Sequence, residues 1–361
     1  MSYERDNIRQ MQGYTSGEQP DDRATIKLNT NENPWAPAPA IGEAVRQFDL
    51  EDLRRYPQPT ADEFRRLAAD LHGVKPDNII ATRGGDELLR LVITTFVDPG
   101  QPIGMTEPTY SLYPVLAQIQ NCPVIKTPLG EDWSLPDDFA RTMNESGAKL
   151  SLLVNPHAPS GTLLDIETIR KIADAVDSVL LVDEAYVDFV DEDAGYDSIS
   201  LIEDFDNVII LRTLSKGYSL AGLRFGYGIA AESLIRPMIE KTRDSYNLDA
   251  ISQTIAETAL ANRDHAAWTW QQIRTERERL RSALAWLGFS SPESQANFLL
   301  VTVNNTELTA KDVYEKLKHQ GILVRYFDQP GLQDKLRITI GTPAENQLLI
   351  RHLEALRGTD C

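Results

Sequence analysis

Cysteine is nearly missing from this chain: 361 residues carry two, Cys122 and Cys361. They have neither the CxxC spacing of a metal or redox site nor the density of a disulfide-framed secreted domain, so both read as free thiols. Positive charge is scarce as well, with 36 Lys and Arg against 54 Asp and Glu and a net charge of −18. No basic stripe offsets that charge, which argues against general binding to nucleic acid or to an anionic membrane. No apolar run reaches transmembrane length, and the opening stretch MSYERDNIRQMQGY lacks the apolar core of a signal segment; a cytoplasmic protein is expected. Repeats, low-complexity tracts and the GxGxxG fingerprint of a dinucleotide fold are also missing. What remains is ordinary globular composition, 42% hydrophobic and 25% charged, long enough for a large and a small domain.

The most informative stretch is IILRTLSKGYSLAGLRFGY, residues 209–227. It begins as a β-branched apolar run suited to a buried strand, then breaks at Thr213 to Gly217 into a polar, glycine-bearing segment. Lys216 therefore sits just past the end of a core strand. Most lysines in such a loop are simply solvated; the alternative is a covalent amine that forms a Schiff base with a carbonyl cofactor. Its company favours the second. Thr213 and Ser215 bring hydroxyls, Gly217 permits close approach, and Arg224 follows eight residues on, together the donors a dianionic phosphate requires. One lysine beside one phosphate cradle points to pyridoxal phosphate.

The rest of the chain reads as an α/β fold. Strand-like runs at 78–81, 102–106, 150–154, 179–182 and 208–211 alternate with helical patterns such as 62–71, 88–97 and 165–176, which predicts a mostly parallel sheet covered by helices on both faces. Ligands of such sheets bind beyond the carboxyl ends of the strands. Those ends carry Thr109 and Tyr110, Asn155 to His157, Asp183 to Tyr186, and Thr213 to Lys216. Asp183 can pair with a protonated pyridine nitrogen, Tyr110 can stack on the ring, and Tyr186 can donate to its phenolate oxygen. Taken singly, each has a plainer reading: a helix N-cap for Asp183, packing for Tyr110 and Tyr113, a satisfied loop residue for His157. A metal site at Asp183-Glu184 is not expected, because no His or Cys cluster accompanies it. Gly85 and Asp86 open a helix whose first amides can hold a phosphate.

The motifs TNENP (30–34), RYP (55–57), RGGDE (83–87), EPTYSLY (107–113), DEAY (183–186), TLSKGYSLAGLRFGY (213–227) and LRIT (336–339) resemble those of the histidinol-phosphate aminotransferases, members of the fold-type I pyridoxal-phosphate superfamily. The resemblance runs in order from about residue 14 to 340. It implies that Lys216 carries the cofactor and then moves a proton between substrate Cα and cofactor C4′. It further implies that Gly85, Asp86, Thr213, Ser215 and Arg224 hold the cofactor phosphate, with Tyr56 reaching in from the second subunit of a homodimer. Asp183, Tyr110 and Tyr186 would contact the ring. Tyr14, Asn31, Arg325 and Arg337 would line the substrate site, the arginines taking the phosphate of histidinol phosphate and the carboxylate of glutamate or 2-oxoglutarate in turn. One departure stands out: where the family usually reads NPNNPTG, this chain has Ala158 at the asparagine that bonds the ring oxygen. Asn155, His157, a water or Tyr186 is left to supply that bond.

The expected domains are an N-terminal arm and small-domain segment over 1–45, a large cofactor-binding domain over 46–250 and a small α+β domain over 251–361. In the last, residues 251–287 read as helical with a solvated charged face, 297–303, 323–326 and 336–340 as strands, and 311–319 as a helix. The resemblance implies transfer of an amino group between L-histidinol phosphate and 2-oxoglutarate. An aromatic-amino-acid aminotransferase or a threonine-phosphate decarboxylase-like enzyme would use the same Lys216 chemistry. A cofactor-sensing regulator fits poorly, as there is no added DNA-binding domain.

Overall fold

The computed structural model describes residues 2–20, 22, 24–304 and 308–357; Cys361 lies outside them. The strands are β1 (Ile26–Lys27), β2 (Ile79–Thr82), β3 (Ile103–Glu107), β4 (Val124–Pro128), β5 (Leu150–Val154), β6 (Val179–Asp183), β7 (Val208–Thr213), β8 (Gly226–Ala230), β9 (Phe298–Thr302), β10 (Ile322–Leu323), β11 (Arg325–Tyr326) and β12 (Lys335–Thr339). Seven of them form one sheet in the order β2-β8-β7-β6-β5-β3-β4. From β4 to β7 every pairing is parallel, while β8 runs antiparallel to both its neighbours.

Side chains of the central strands alternate between two cores. Leu150, Leu152, Leu181, Ile209 and Leu211 face one, and Leu153, Leu180, Val182, Val208 and Ile210 face the other, the period-two pattern of strands buried on both sides. Each such side chain contributes about 1.5–3 kcal/mol by leaving water, so the strand ends that carry the site are firmly anchored.

Besides the two-residue β1, two strands of the large sheet escaped the sequence reading, for different reasons. β4 is an edge strand with mixed exposure, so it lacks a continuous apolar run. β8 reads GYGIA, and glycine is a poor strand former. Gly226 is there for space: a Cβ on it would lie 2.8 Å from the carbonyl carbon of Gly84 and 2.9 Å from the nitrogen of Gly85. The helix Gly84–Phe96 can begin against the sheet only because that side chain is missing.

The remaining strands make a three-stranded antiparallel sheet, β11-β12-β9, and a two-stranded parallel pair, β1-β10. The single strand expected over 323–326 is thus divided between two sheets, and residues 26–27 are tied to residues 322–323. The helical stretch after residue 250 is two helices, Ala250–Ala261 and Arg263–Trp286. Its charged face is not wholly solvated, contrary to expectation. Arg277 is fully buried, donating to the carbonyls of Phe189 and Ala296 and pairing with Asp191 at 2.8 Å; Glu276 is buried against Arg279 and Asn346. A guanidinium at that depth requires all of these partners. Among the described residues no helix is long and apolar enough to cross a membrane.

Candidate active site

The carboxyl ends of β3, β5, β6 and β7 open on a cavity of about 230 Å³. Of the residues singled out from the sequence, Tyr14, Asn31, Gly85, Asp86, Tyr110, Asp183, Tyr186, Thr213, Ser215, Lys216, Arg224, Arg325 and Arg337 all line it. Parallel strands place these ends side by side: Val154 is in register with Asp183, and Asp183 with Leu211.

One end of the cavity is built to hold an anion. The helix Gly84–Phe96 starts there with no side chain capping its first amides, so the positive end of its dipole is open. Arg224, itself in the left-handed conformation, lies over Gly84 so closely that a Cβ on that glycine would sit 2.8 Å from its Nη2. Its guanidinium reaches Ser215 Oγ and Asp86 Oδ2, each at 3.3 Å, and Thr213 Oγ1 donates to Ser215 Oγ at 2.9 Å. The buried hydroxyl of Thr109 lines the same space without a partner. Three hydroxyls, free helix amides and one arginine match the acceptor oxygens of a phosphate monoester.

Asp183 lies deeper, and burial pushes its carboxyl up to about 6. Two donors work against that shift: Tyr113 Oη at 2.8 Å and the amide of Ala185 at 3.1 Å. A carboxylate held ionised in such a place is suited to a cationic nitrogen. Lys216 is recessed in the wall, where its amine donates to the carbonyl oxygen of Thr30 at 2.9 Å. Burial lowers its proton affinity to about 8, with Arg337, Arg224 and Lys27 adding to the effect and Glu32 opposing it. An amine that loses its proton near neutrality serves both as nucleophile and as base.

The opposite end is cationic. Arg325 and Arg337 face each other in register on β11 and β12, with the ring of Phe327 5.6 Å from both guanidinium carbons. Arg337 Nη2 donates to the carbonyl of Asn29 at 3.0 Å, while its Nε has no partner. Tyr14 closes this side edge-on to Tyr110, with ring centroids 6.1 Å apart. Asn31, in the left-handed conformation, donates through Nδ2 to Tyr186 Oη at 3.0 Å. Its backbone amide and Oδ1 both bond Thr339 Oγ1.

Two expected residues lie elsewhere. The amide of Asn155 is spent on the backbone of Leu164, donating at 3.1 Å and accepting at 2.8 Å, so it is a loop brace rather than a ring contact. Tyr56 is exposed and stacks on Tyr246 with centroids 4.4 Å apart, away from this chain's own cavity. His157 is neutral, lowered to about 4 by burial. Its Nε2 can only donate to the carbonyl of Pro108, at 3.0 Å, which leaves Nδ1 to accept from Ser160 Oγ at 2.7 Å; both ring nitrogens are engaged within the loop. Ala158 does line the cavity, as does Tyr186. Sequence reasoning missed the Asn29 and Thr30 carbonyls and Phe327, placed Thr109 at a strand end without giving its hydroxyl a role, and undervalued Tyr113. Main-chain acceptors leave no trace in residue identity; Tyr113 was visible in EPTYSLY but indistinguishable from a packed ring.

A lysine and an anion cradle at the carboxyl edge of a mostly parallel sheet define a fold-type I transferase, and the chain belongs to the class I and II aminotransferases, whose family model matches residues 23–353. Within that class its likeness is to the histidinol-phosphate aminotransferases. It is 42% identical over 357 residues to histidinol-phosphate aminotransferase 1 of Trichormus variabilis, covering 98% of this chain and 99% of that one. It is 40% identical over 356 residues to the histidinol-phosphate aminotransferase of Microcystis aeruginosa, covering 99% of each. The crystal structure of the Sinorhizobium meliloti histidinol-phosphate aminotransferase in complex with pyridoxal-5′-phosphate superposes with a TM-score of 0.89 at 25% identity, covering 99% of both chains.

Proposed function

We propose that this aminotransferase exchanges an amino group between L-histidinol phosphate and 2-oxoglutarate, with pyridoxal phosphate as its cofactor, as a cytoplasmic homodimer in which Tyr56 serves the partner's site. The observation that carries this reading is that the recessed Lys216 amine shares one cavity with arginines from two different parts of the fold, Arg224 ahead of β8 and Arg325 with Arg337 on β11 and β12. Two anion sites in one cavity suit a phosphorylated cofactor and an anionic substrate bound together.

The residues present fit the cofactor. Arg224, Ser215, Thr213, Thr109 and the amides of Gly85 and Asp86 would hold its phosphate, Asp183 its ring nitrogen, and Tyr110 and Tyr186 the ring. Pyridoxal phosphate supplies an electron-poor ring that accepts the electrons of a breaking Cα–H bond. Tyr113 keeps Asp183 ionised, so that the carboxylate stabilises positive charge on that ring. Lys216 Nζ would take the proton from substrate Cα and return it two atoms away, across the transferred nitrogen, a step its lowered proton affinity favours. Arg325 and Arg337 bind whichever anion the amino donor or acceptor carries, which lets one pocket serve two unlike substrates. Tyr14 and Tyr110 close the mouth and limit water.

The division of the chain at about residues 45 and 250 remains part of this proposal, supported by the separation of the seven-stranded sheet (79–230) from the three-stranded one (298–339). Steady-state turnover with 2-oxoglutarate tests the substrate assignment. With L-histidinol phosphate as donor, kcat/KM should exceed that with phenylalanine by about 100-fold or more, the worth of one well-placed arginine–phosphate contact. Equal values would make the enzyme a broad aromatic aminotransferase, and loss of carbon dioxide from a phosphorylated amino acid would make it a decarboxylase.

A further inference from the structure

Glu32, the acidic residue of TNENP, has no part in the scheme above, yet it belongs to a small ionic cluster directly behind Lys216. Lys27 Nζ pairs with Glu32 Oε1 and also donates to Thr30 Oγ1, and Thr30 Oγ1 in turn donates to Glu32 Oε2. Lys27 and Glu32 thus hold the side chain of Thr30, the residue whose carbonyl receives the Lys216 amine. Gly17 leaves the room that Thr30 occupies: a Cβ on that glycine would lie 2.3 Å from Thr30 Cγ2. Glu32 and Lys27 are only partly exposed, at 38% and 21% of their side-chain surface, so their fields are incompletely screened.

We propose that Glu32, with Lys27 as its counter-ion, is a positioning residue for Lys216: through Thr30 it fixes where the amine rests between proton transfers, and through its charge it sets how firmly the amine holds a proton. The inference deepens the aminotransferase reading, on which it rests for its catalytic meaning. The charged and titratable groups facing the amine are Glu32 and Lys27 from the N-terminal segment, Arg224 from the loop before β8, Arg337 from β12, and the ring of Tyr186 at 6.0 Å. Among them Glu32 is the one that favours the protonated amine; Asp86 and Asp183 line the same cavity but are paired, with Arg224 and Tyr113 respectively. Removing its carboxylate takes away the charge that favours the protonated amine and leaves Arg337, Arg224 and Lys27 acting against it, so the proton is released more readily. With it, the lysine stays protonated longer after delivering a proton. The Glu32 carboxyl is itself held below its usual range: burial works against this and is outweighed by Lys27, Thr30 and the field of Lys216.

The test uses the cofactor-free protein, so it reads the amine and not turnover. Lys216 is labelled by reductive methylation over a range of pH, and its modification is followed by peptide mass spectrometry. Glu32→Gln should lower the pH midpoint by on the order of half a pH unit, about a threefold rise in labelling at fixed acidic pH. Glu32→Asp, which keeps the charge, should return it toward the parent value. A merely structural role predicts the opposite sign, because a loosened site admits water and moves the amine up toward ordinary lysine. A rise or no change in Glu32→Gln overturns the proposal. Should that variant fail to fold, Lys27→Met must raise the midpoint, and an unchanged midpoint there overturns it equally. None of these outcomes depends on the substrate, so failure here leaves the aminotransferase reading standing, and failure of that reading leaves this titration interpretable.

Discussion

Tyr113 donates its hydroxyl to Asp183 Oδ2 at 2.8 Å, with the tyrosine fully buried and the aspartate nearly so. The contact joins the helix Leu112–Ile119 to the end of β6 and gives the buried carboxylate one of its two donors from protein. Tyr113→Phe removes that donor without changing shape. The Asp183 carboxyl should then rise further, and hydrogen bonds to charged groups of this kind are worth about 1.5–3 kcal/mol. Cofactor dissociation and kcat should worsen by about 10-fold or more, and the acidic limb of the kcat profile should move to higher pH. A variant with parental cofactor affinity and an unmoved acidic limb would remove Tyr113 from this role.

Asp183 itself gives a stability test in the cofactor-free protein. Burial raises its carboxyl from 3.8 to about 6, so between those values the folded chain binds more protons than the unfolded chain. Stability from this group is therefore present at low pH and lost as pH rises through that window. Asp183→Asn removes the buried charge and should be more stable than the parent by about 1–3 kcal/mol at about pH 8, with the gain shrinking toward about pH 4. Denaturant midpoints at both pH values measure it. A constant gain, or a loss at high pH, would show that the carboxylate is not penalised by burial.

Arg337 should matter to both halves of the reaction. Its Nε is buried without a partner, and its guanidinium is fixed by the Asn29 carbonyl and the rings of Phe298 and Phe327. Arg337→Ala should lower kcat/KM by about 30-fold or more for the phosphorylated donor and for 2-oxoglutarate alike, the loss typical of a charged contact in a recessed site. A deficit confined to one substrate would mean that the two anions bind in different places.

Gly217 needs its missing side chain. A Cβ there would lie 2.1 Å from Asp188 Oδ2, while the Gly217 carbonyl accepts from Trp270 Nε1 at 2.7 Å and so cannot drift freely. Gly217→Ala should cost about 1–3 kcal/mol and displace Lys216, seen as a lower melting temperature together with weaker cofactor retention. Unchanged retention would mean that the 213–217 segment tolerates the shift.

The parts of this molecule that were legible beforehand are those written in side chains at regular spacing. Runs such as Leu150–Val154 and Val208–Leu211 disclosed the parallel sheet because both faces are buried, and the rule that ligands gather past strand ends then brought Asp183 and Lys216 to one place. β8 was hidden because Gly226 serves the neighbouring helix rather than strand propensity. The charged stretch around Arg277 was misread because sequence spacing does not reveal that Phe189, Asp191 and Ala296 wait beneath it. Asn155 went wrong for a similar reason: the strand-end position was right, but its amide had a nearer employer in the backbone of Leu164. Lys216 resting on the carbonyl of Thr30 could not be foreseen, since any residue supplies a carbonyl.

The most direct measurement is the location of the cofactor. The protein loaded with pyridoxal phosphate is reduced with borohydride, digested, and its labelled peptide sequenced by mass spectrometry. The expected label is on Lys216 alone, with Lys216→Ala neither labelled nor active. A label on any other lysine, or turnover surviving in Lys216→Ala, would contradict the assignment of this amine as the group that carries the cofactor and moves the proton.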